Sequence, residues 1–176
     1  MTIENNIKVA VRDIQDFPLP GVTFKDITPI LLDPKLCHQI TKGFCTEFNT
    51  LQIDCVAAVE SRGFLFGMLI AQELQVPFIP IRKKGKLPHK TIEQSYNLEY
   101  GSAVIEMHHD AIKPGQRVLL HDDLLATGGT IDGAAKLILK AGGTIEAMSF
   151  IINLSFLNGD KKLQHYSDHL IALATY

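Results

Sequence analysis

Two adjacent carboxylates, Asp122 and Asp123, come directly before a stretch of small and hydroxyl-bearing residues. Backbone N–H groups and threonine hydroxyls at the start of a helix can surround a phosphate, and the helix dipole adds a partial positive charge. Carboxylates repel a phosphate unless they bind something else, such as sugar hydroxyls or a metal ion. The segment therefore predicts a sugar-phosphate site, in which the acidic pair is followed by the small and hydroxyl-bearing residues Ala126, Thr127, Gly128, Gly129 and Thr130.

The same segment differs from two common nucleotide-binding loops. No lysine follows the glycines, as a Walker loop requires, and the spacing is not that of a GxGxxG dinucleotide loop. The alternative interpretation is a tight turn with an aspartate cap. The acidic pair and the flanking strand and helix patterns favour the phosphate site.

The sequence contains two units in which a loop connects an apolar run to a helical pattern. In the first unit, residues 55–59 predict a buried strand, residues 60–63 a loop and residues 64–74 a helix. A strand-like run over residues 76–81 follows. This succession predicts a parallel sheet with crossover helices.

The second unit repeats this order. Residues 117–121 predict a strand, 122–130 a loop and 131–140 a helix, which Gly142 and Gly143 end before a strand over 144–152. Ligands of open parallel sheets bind beyond the carboxyl ends of the strands, where both loops fall. The sequence therefore directs attention to those two loops.

The remaining segments complete one α/β domain over residues 1–176. Asp33 and Pro34 predict a helix start, and an apolar residue recurs every fourth position from Leu36 to Phe48. Residues 91–107 alternate like antiparallel strands joined by a turn at Tyr100 and Gly101. We expect a parallel twisted sheet flanked by helices, with residues up to about 30 forming a small N-terminal cap.

Composition narrows the function classes. The chain has 176 residues, 46% of them hydrophobic, and its 17 Lys and Arg against 19 Asp and Glu give a formal charge of -2. This balance favours neither nucleic acid nor an anionic membrane as a partner.

No apolar run resembles a signal peptide or a membrane span, and three cysteines without a CxxC pair indicate reduced thiols. We expect a cytoplasmic protein. The histidines show no HExxH spacing, so we expect no structural metal site.

Residues 118–130 resemble the signature of the type I phosphoribosyltransferases that binds phosphoribosyl pyrophosphate (PRPP). Residues 17–28, 60–67, 82–88 and 96–101 resemble blocks of the adenine phosphoribosyltransferase family, in that family's order and spacing. Two positions depart from the family's pattern. His121 stands where Val or Ile is usual, and Lys25 where Arg is frequent.

The resemblance implies roles for the two loops and for a basic run. Residues 126–130 would hold the 5′-phosphate, and Asp122 and Asp123 the ribose hydroxyls. The pyrophosphate loop would consist of Glu60, Ser61, Arg62 and Gly63. A mobile basic loop would present Arg82, Lys83, Lys84 and Lys86 to the pyrophosphate, with Arg62, Lys83 and Lys86 aiding catalysis. The alternative for the basic run is a solvated surface turn.

The resemblance also implies a base pocket and a catalytic carboxylate. Phe24 would stack on adenine, and backbone groups at Thr23 and near Arg62 would bind the purine edge. Without the resemblance, Phe24 is better interpreted as a core aromatic. Glu99 would be catalytic, and two roles remain open for it: positioning a ribose hydroxyl or assisting proton removal from adenine.

The implied activity is purine salvage, in which a homodimer converts adenine and PRPP to AMP and pyrophosphate. Mg²⁺ is expected as a cofactor that bridges PRPP oxygens and is bound mainly through the substrate. One alternative is a phosphoribosyltransferase for another base, such as hypoxanthine or guanine. The other is a PRPP-binding regulator without catalysis.

Overall fold

The computed structural model describes residues 2–97 and 102–176. Its elements follow one another as α1 (Ile3–Ala10), β1 (Arg12–Ile14), β2 (Phe24–Asp26), α2 (Thr28–Leu31), α3 (Pro34–Glu47), β3 (Cys55–Val59), α4 (Gly63–Leu74), β4 (Phe78–Lys83), β5 (Thr91–Asn97), β6 (Ser102–His108), β7 (Arg117–Leu125), α5 (Gly129–Lys140), β8 (Thr144–Asn153), a 3₁₀ turn (Ser155–Leu157), α6 (Gly159–Leu163) and β9 (Leu170–Thr175). Among the described residues, no helix is long and apolar enough to cross a membrane.

The main sheet has seven strands in the order β5-β6-β4-β3-β7-β8-β9. The strands from β4 to β9 in that order pair in parallel, whereas β5 and β6 form an antiparallel hairpin along the β4 edge. The predicted α/β class, the parallel sheet and its antiparallel excursion are therefore confirmed. The predicted turn at Tyr100 and Gly101 lies outside the described residues.

Helices cover both faces of the sheet. Alternate residues of β3 point to opposite faces, so Ala57 joins one buried cluster and Val56 the other. Helix α5 packs on the first face, and α3 and α4 pack on the second. The predicted start of α3 is confirmed, since the Asp33 carboxylate accepts hydrogen bonds from the backbone N–H groups of Lys35 and Leu36 at 2.9 and 3.1 Å.

Strand β7 is longer than predicted. The sequence placed Asp122 at the start of a loop, but β7 continues to Leu125 and pairs with β8 as far as Asn153. The strand continues because the parallel ladder and the burial of Leu125 outweigh the low strand preference of aspartate. The acidic pair is therefore held by the sheet. The edge strand β9 was not predicted.

The N-terminal segment consists of α1, the two-stranded sheet of β1 and β2, and α2. Ile7, Ile27 and Ile30 are buried in the same cluster as the apolar residues of α3 and α4. The segment thereby carries Phe24, at the start of β2, to the edge of the main sheet.

Gly67 allows α4 to lie close to β3. A Cβ at this position would lie 2.7 Å from the Cβ of Ala58 and 3.0 Å from the ring of Phe78. We expect Gly67→Ala to lower the free energy of unfolding by about 1–3 kcal/mol through overpacking. Urea denaturation at pH 7 measures this change.

Gly43→Ala provides a matched control within a helix. Its Cβ would meet the end of the flexible Ile3 side chain at 3.0 Å. Because that side chain can move and alanine favours helix by about 1 kcal/mol, this variant should lose little or no stability. Equal losses in the two variants would contradict the close packing of α4 on the sheet.

Candidate active site

A cavity of about 390 Å³ lies where the carboxyl-terminal parts of β3, β4 and β7 meet the hairpin and β2. Its lining residues are Phe24, Val59, Glu60, Ser61, Arg62, Lys83, Tyr96, Ile105, Asp122, Asp123 and Thr130. A larger cleft of about 600 Å³ lies between α3 and α4, away from both loops. We place the site in the smaller cavity because it brings together the carboxylates, two cations and an aromatic ring.

Asp122 and Asp123 form an acidic pair near the end of β7, in which Asp123 is buried and Asp122 is half-buried. The backbone N–H of Asp123 donates to the Asp122 carboxylate at 2.9 Å. Burial raises the pKa of Asp122 well above its usual value, and the adjacent Asp123 charge raises it further. Burial also raises the pKa of Asp123, although the Arg62 charge opposes that shift. Burial therefore disfavours the charged form of both carboxylates, most strongly at Asp122.

Arg62 connects the acidic pair to the aromatic ring. Its Nε lies 3.0 Å from Asp123 Oδ2, as an ion pair without the alignment of a hydrogen bond. Its guanidinium carbon lies 4.9 Å from the centre of the Phe24 ring, a cation–π contact. It also donates to the Lys25 carbonyl at 3.5 Å.

Glu60 orients the beginning of the basic run. Arg82 donates to both of its carboxylate oxygens at 3.1 Å, and the Lys83 backbone N–H donates at 3.0 Å. The hydrogen bonds from Arg82 hold the pKa of Glu60 below its usual value. Arg82 is thus paired away from the cavity, while Lys83 lines it.

The basic run is only partly a loop. Arg82 and Lys83 belong to β4, which corrects the prediction that all four cations lie on a loop. Lys84 forms an ion pair with Glu93 at 2.8 Å. Lys86 is exposed, and its backbone carbonyl accepts a hydrogen bond from Arg82.

The loop over residues 126–128, predicted to bind phosphate, packs against the start of α6. Gly128 has a φ of 76°, which favours glycine, and a Cβ there would lie 3.0 Å from the Gly159 carbonyl oxygen. A Cβ on Gly159 would overlap the carbonyl oxygen of Ala126. These two glycines therefore allow the loop to lie tightly before α5, with Thr130 facing the cavity.

The two loops meet at Gly63. A Cβ on this residue would lie 2.8 Å from Asp122 Oδ1 and 3.2 Å from the carbonyl oxygen of His121. Glycine is therefore required for the beginning of α4 to approach β7. This contact brings the pyrophosphate-loop and phosphate-loop candidates into one cavity.

The cavity includes some predicted residues and omits others. Eight predicted residues line it: Phe24, Glu60, Ser61, Arg62, Lys83, Asp122, Asp123 and Thr130. Within the described part of the chain, the following predicted residues border it without lining it or lie farther away: Thr23, Gly63, Arg82, Lys86, Ala126, Thr127, Gly128 and Gly129. Glu99 lies outside the described residues.

Three lining residues, Val59, Tyr96 and Ile105, were not predicted as site residues. In the sequence, Val59 and Ile105 have the pattern of core strand residues, and no local signal separates them from the core. Tyr96 could have been found, since it begins the block over residues 96–101. A Cβ on Gly133 of α5 would lie 2.8 Å from the Tyr96 Cβ, so the hairpin lies directly on the phosphate-loop helix.

Comparison with known proteins agrees with this geometry. A model of the phosphoribosyl transferase domain matches residues 31–169. The adenine phosphoribosyltransferase of Cytophaga hutchinsonii is 53% identical over 174 residues, which cover 99% of this chain and 96% of that protein. The crystal structure of adenine phosphoribosyltransferase from Thermoanaerobacter pseudethanolicus has a TM-score of 0.95 and 45% identity, covering 99% of this chain and all of that one.

A third comparison includes ligands. The Saccharomyces cerevisiae adenine phosphoribosyltransferase, complexed with adenine and an imino-altritol bisphosphate, has a TM-score of 0.90 and 34% identity, covering 97% of this chain and 98% of that one. The fold and the site define a phosphoribosyltransferase. The similarity to adenine phosphoribosyltransferases extends over nearly the whole chain. The chain therefore belongs to the adenine phosphoribosyltransferase family.

The acidic pair should reduce stability at neutral pH. A pKa raised by folding means that the folded chain binds a proton more tightly than the unfolded chain, in which aspartate titrates near about 3.9. Stability therefore falls as pH rises from about 4 through the raised pKa. We expect Asp122→Asn to increase the free energy of unfolding at pH 7, with a gain that disappears near pH 4, and to lower turnover strongly. Each unit of raised pKa corresponds to about 1.4 kcal/mol.

Asp54→Asn is the control with the opposite sign. Hydrogen bonds from Arg117 lower the pKa of Asp54 to about 2, so its stabilisation is present above pH 4 and is lost on acidification. This variant should therefore be less stable than wild type at pH 7. Denaturation curves at pH 4 and 7 test both variants, and a loss of stability at pH 7 in Asp122→Asn would contradict the assignment.

Proposed function

We propose that the cavity binds PRPP and adenine together and transfers the phosphoribosyl group to adenine, forming AMP and pyrophosphate for purine salvage. The observation that carries the proposal is the convergence of two unlike sets of groups in one cavity. The acidic pair and Thr130 suit a ribose phosphate, and Phe24 with Arg62 suits a flat base. The names of the relatives support the choice of adenine.

The acidic pair has the chemistry to bind the ribose. Asp122 and Asp123 would accept hydrogen bonds from the 2′- and 3′-hydroxyls. These bonds would replace the hydrogen bonds to water that the carboxylates lose on folding. The bond from the anomeric carbon to the pyrophosphate oxygen breaks, the ring gains positive charge, and adenine N9 forms the new bond. Carboxylates near the ring favour that charge. The protein's main contribution is to align the two substrates.

Cations would offset the charge of the leaving pyrophosphate. Lys83 and Arg62 line the cavity, and Lys86 lies farther along the same segment. The Glu60 carboxylate is already bound to Arg82 and the Lys83 backbone, and Asp123 faces Arg62. Because these carboxylates are already paired with cations, Mg²⁺ would be bound mainly through oxygens of PRPP, near the acidic pair. When bound, the ion supplies positive charge to the pyrophosphate.

The base would stack on Phe24. The rings of Phe17 and Phe24 pack edge to face, with centres 5.2 Å apart and planes 78° apart, which restrains the Phe24 ring. Backbone groups at Thr23 and near Arg62 would bind the purine edge, with the Thr23 hydroxyl directed instead to Gln15 at 2.9 Å. Glu99 keeps its two proposed roles, in ribose positioning or in proton removal.

We also propose a homodimer in the cytoplasm. Helix α4 begins at the site and exposes Leu65, Met68 and Leu69, the last two 51% and 39% exposed. An apolar face of this kind fits a second copy of the chain. The three cysteines are free, and burial raises the pKa of Cys45 and of Cys55 to about 11, which suits a reducing compartment.

The dimer is tested by sedimentation velocity. Met68→Glu should shift the wild-type dimer toward monomer, because burying a charge in an apolar interface is costly. Val9→Glu is the control, since Val9 is 81% exposed on α1. A wild-type monomer, or dissociation by both variants alike, would contradict the proposed face.

The base assignment is tested by competition between adenine and hypoxanthine in the presence of PRPP and Mg²⁺. Adenine presents a 6-amino donor and an unprotonated N1, whereas hypoxanthine presents an acceptor and a protonated N1. Each mismatched buried group costs about 1–3 kcal/mol, so we expect adenine to be consumed at least about a hundredfold faster. Comparable consumption would favour the hypoxanthine alternative, and no pyrophosphate release with any base would favour the regulator.

Two substitutions locate the preference. Phe24→Ala should raise the KM for adenine by roughly tenfold or more through lost stacking, whereas Phe156→Ala, at a 67% exposed aromatic, should not. Thr23→Val should keep the preference for adenine, because the proposed contact uses the main chain. Loss of preference in Thr23→Val would show that the side chain carries the contact.

A further inference from the structure

A cluster of metal-ligating side chains lies outside the cavity, at the base of the hairpin. Among the described residues, His89, His109 and Asp110 each offer a ligand atom, and these atoms all lie within 4.8 Å of one another. His109 Nδ1 lies 3.8 Å from Asp110 Oδ1. All three side chains are exposed, and none lines the cavity. We call these three residues the histidine cluster.

The main chain holds the cluster together from two separate segments. His89 precedes β5, while His109 and Asp110 follow β6. The His109 N–H donates to the Lys90 carbonyl at 3.1 Å, and Thr91 pairs with His108 in the adjacent register. The pairing of β5 with β6 therefore brings the two ligand-bearing segments together.

A third imidazole adjoins the cluster. The His89 ring centre lies 5.5 Å from that of His109 and 5.9 Å from that of His108. The Nδ1 atom of His108 is buried and has no hydrogen-bond partner among the described residues. The histidine cluster therefore has a third imidazole beside it, which is not counted among the three ligands.

We propose that the histidine cluster binds one late first-row transition cation, with Zn²⁺ as the probe. Imidazole nitrogen with carboxylate oxygen suits Zn²⁺, Ni²⁺ or Cu²⁺, whereas Mg²⁺ and Ca²⁺ favour oxygen ligands. Tetrahedral ligands about 2.0–2.1 Å from Zn²⁺ lie about 3.4 Å apart. The exposed side chains can close from 4.8 Å by rotating, which leaves the fourth position for water.

The ion would join two segments that the backbone already pairs. This differs from the structural metal site that the sequence argued against, because the seven residue pairs between β5 and β6 hold the hairpin and the ion would add to that pairing. The proposed ion is separate from the Mg²⁺ of the proposed reaction, which would be bound mainly through PRPP. Its expected effect is stabilisation of the hairpin base, since an ion that binds only the folded chain raises the Tm.

Isothermal titration of the untagged full-length chain with Zn²⁺, in excess Mg²⁺ and without PRPP, tests the proposal. We expect one high-affinity Zn²⁺ per chain and a Zn²⁺-dependent rise in Tm. His89→Ala and His109→Ala should each weaken binding at least tenfold and abolish the rise in Tm. His169→Ala, at another exposed histidine, should bind as wild type does.

A fourth variant separates the cluster from the acidic pair. Asp123→Asn should retain the Zn²⁺ site, because Asp123 lies in the cavity and not in the cluster. Absence of high-affinity binding in wild type, or binding unchanged in both His89→Ala and His109→Ala, would overturn the proposal. Loss of binding in Asp123→Asn would place the ion in the cavity and would also overturn it. Each result is independent of whether the chain prefers adenine.

Discussion

The burial of two neighbouring carboxylates is the constraint around which this site is built. Asp122 and Asp123 are held by strand β7, and burial disfavours the charge on each of them. One backbone N–H and one guanidinium lessen that cost. Gly63 lies so close to Asp122 that any side chain at position 63 would displace the Asp122 carboxylate. The fold therefore maintains an acidic pair whose charge is disfavoured, which is the pair we propose to bind the ribose hydroxyls.

The hairpin is fastened to the basic segment by a second buried carboxylate. Glu106 accepts hydrogen bonds from the backbone N–H groups of Lys86 and Leu87 at 2.9 Å, and from Thr91 at 3.3 Å. Burial would raise its pKa, but the backbone donors outweigh burial and hold the pKa below its usual value. The segment after Lys83 is thus tied to β6, and the lack of a side chain at Gly133 lets α5 lie close to Tyr96 of the same hairpin.

Much of the fold and part of the site could be predicted from local pattern. The alternation of buried strands, loops and helices gave the parallel sheet, and the Asp33 cap located α3. The extent of β7 could not be predicted, because its last residues are held by pairing with β8, far along the chain. The pairing of Arg82 with Glu60 likewise joins residues that no local signal relates. Val59 and Ile105 line the cavity because of the order in which their strands, β3 and β6, are arranged in the sheet.

Arg62 contacts the groups assigned to both substrates. It faces Asp123 on one side and the Phe24 ring on the other, so a ribose that engages Asp123 alters the surroundings of the base platform. If the proposed ribose and base contacts are correct, the two binding free energies are not additive, and any effect of one substrate on the other must be reciprocal. A single side chain can in this way make substrate binding cooperative within one domain, without a movement of subunits.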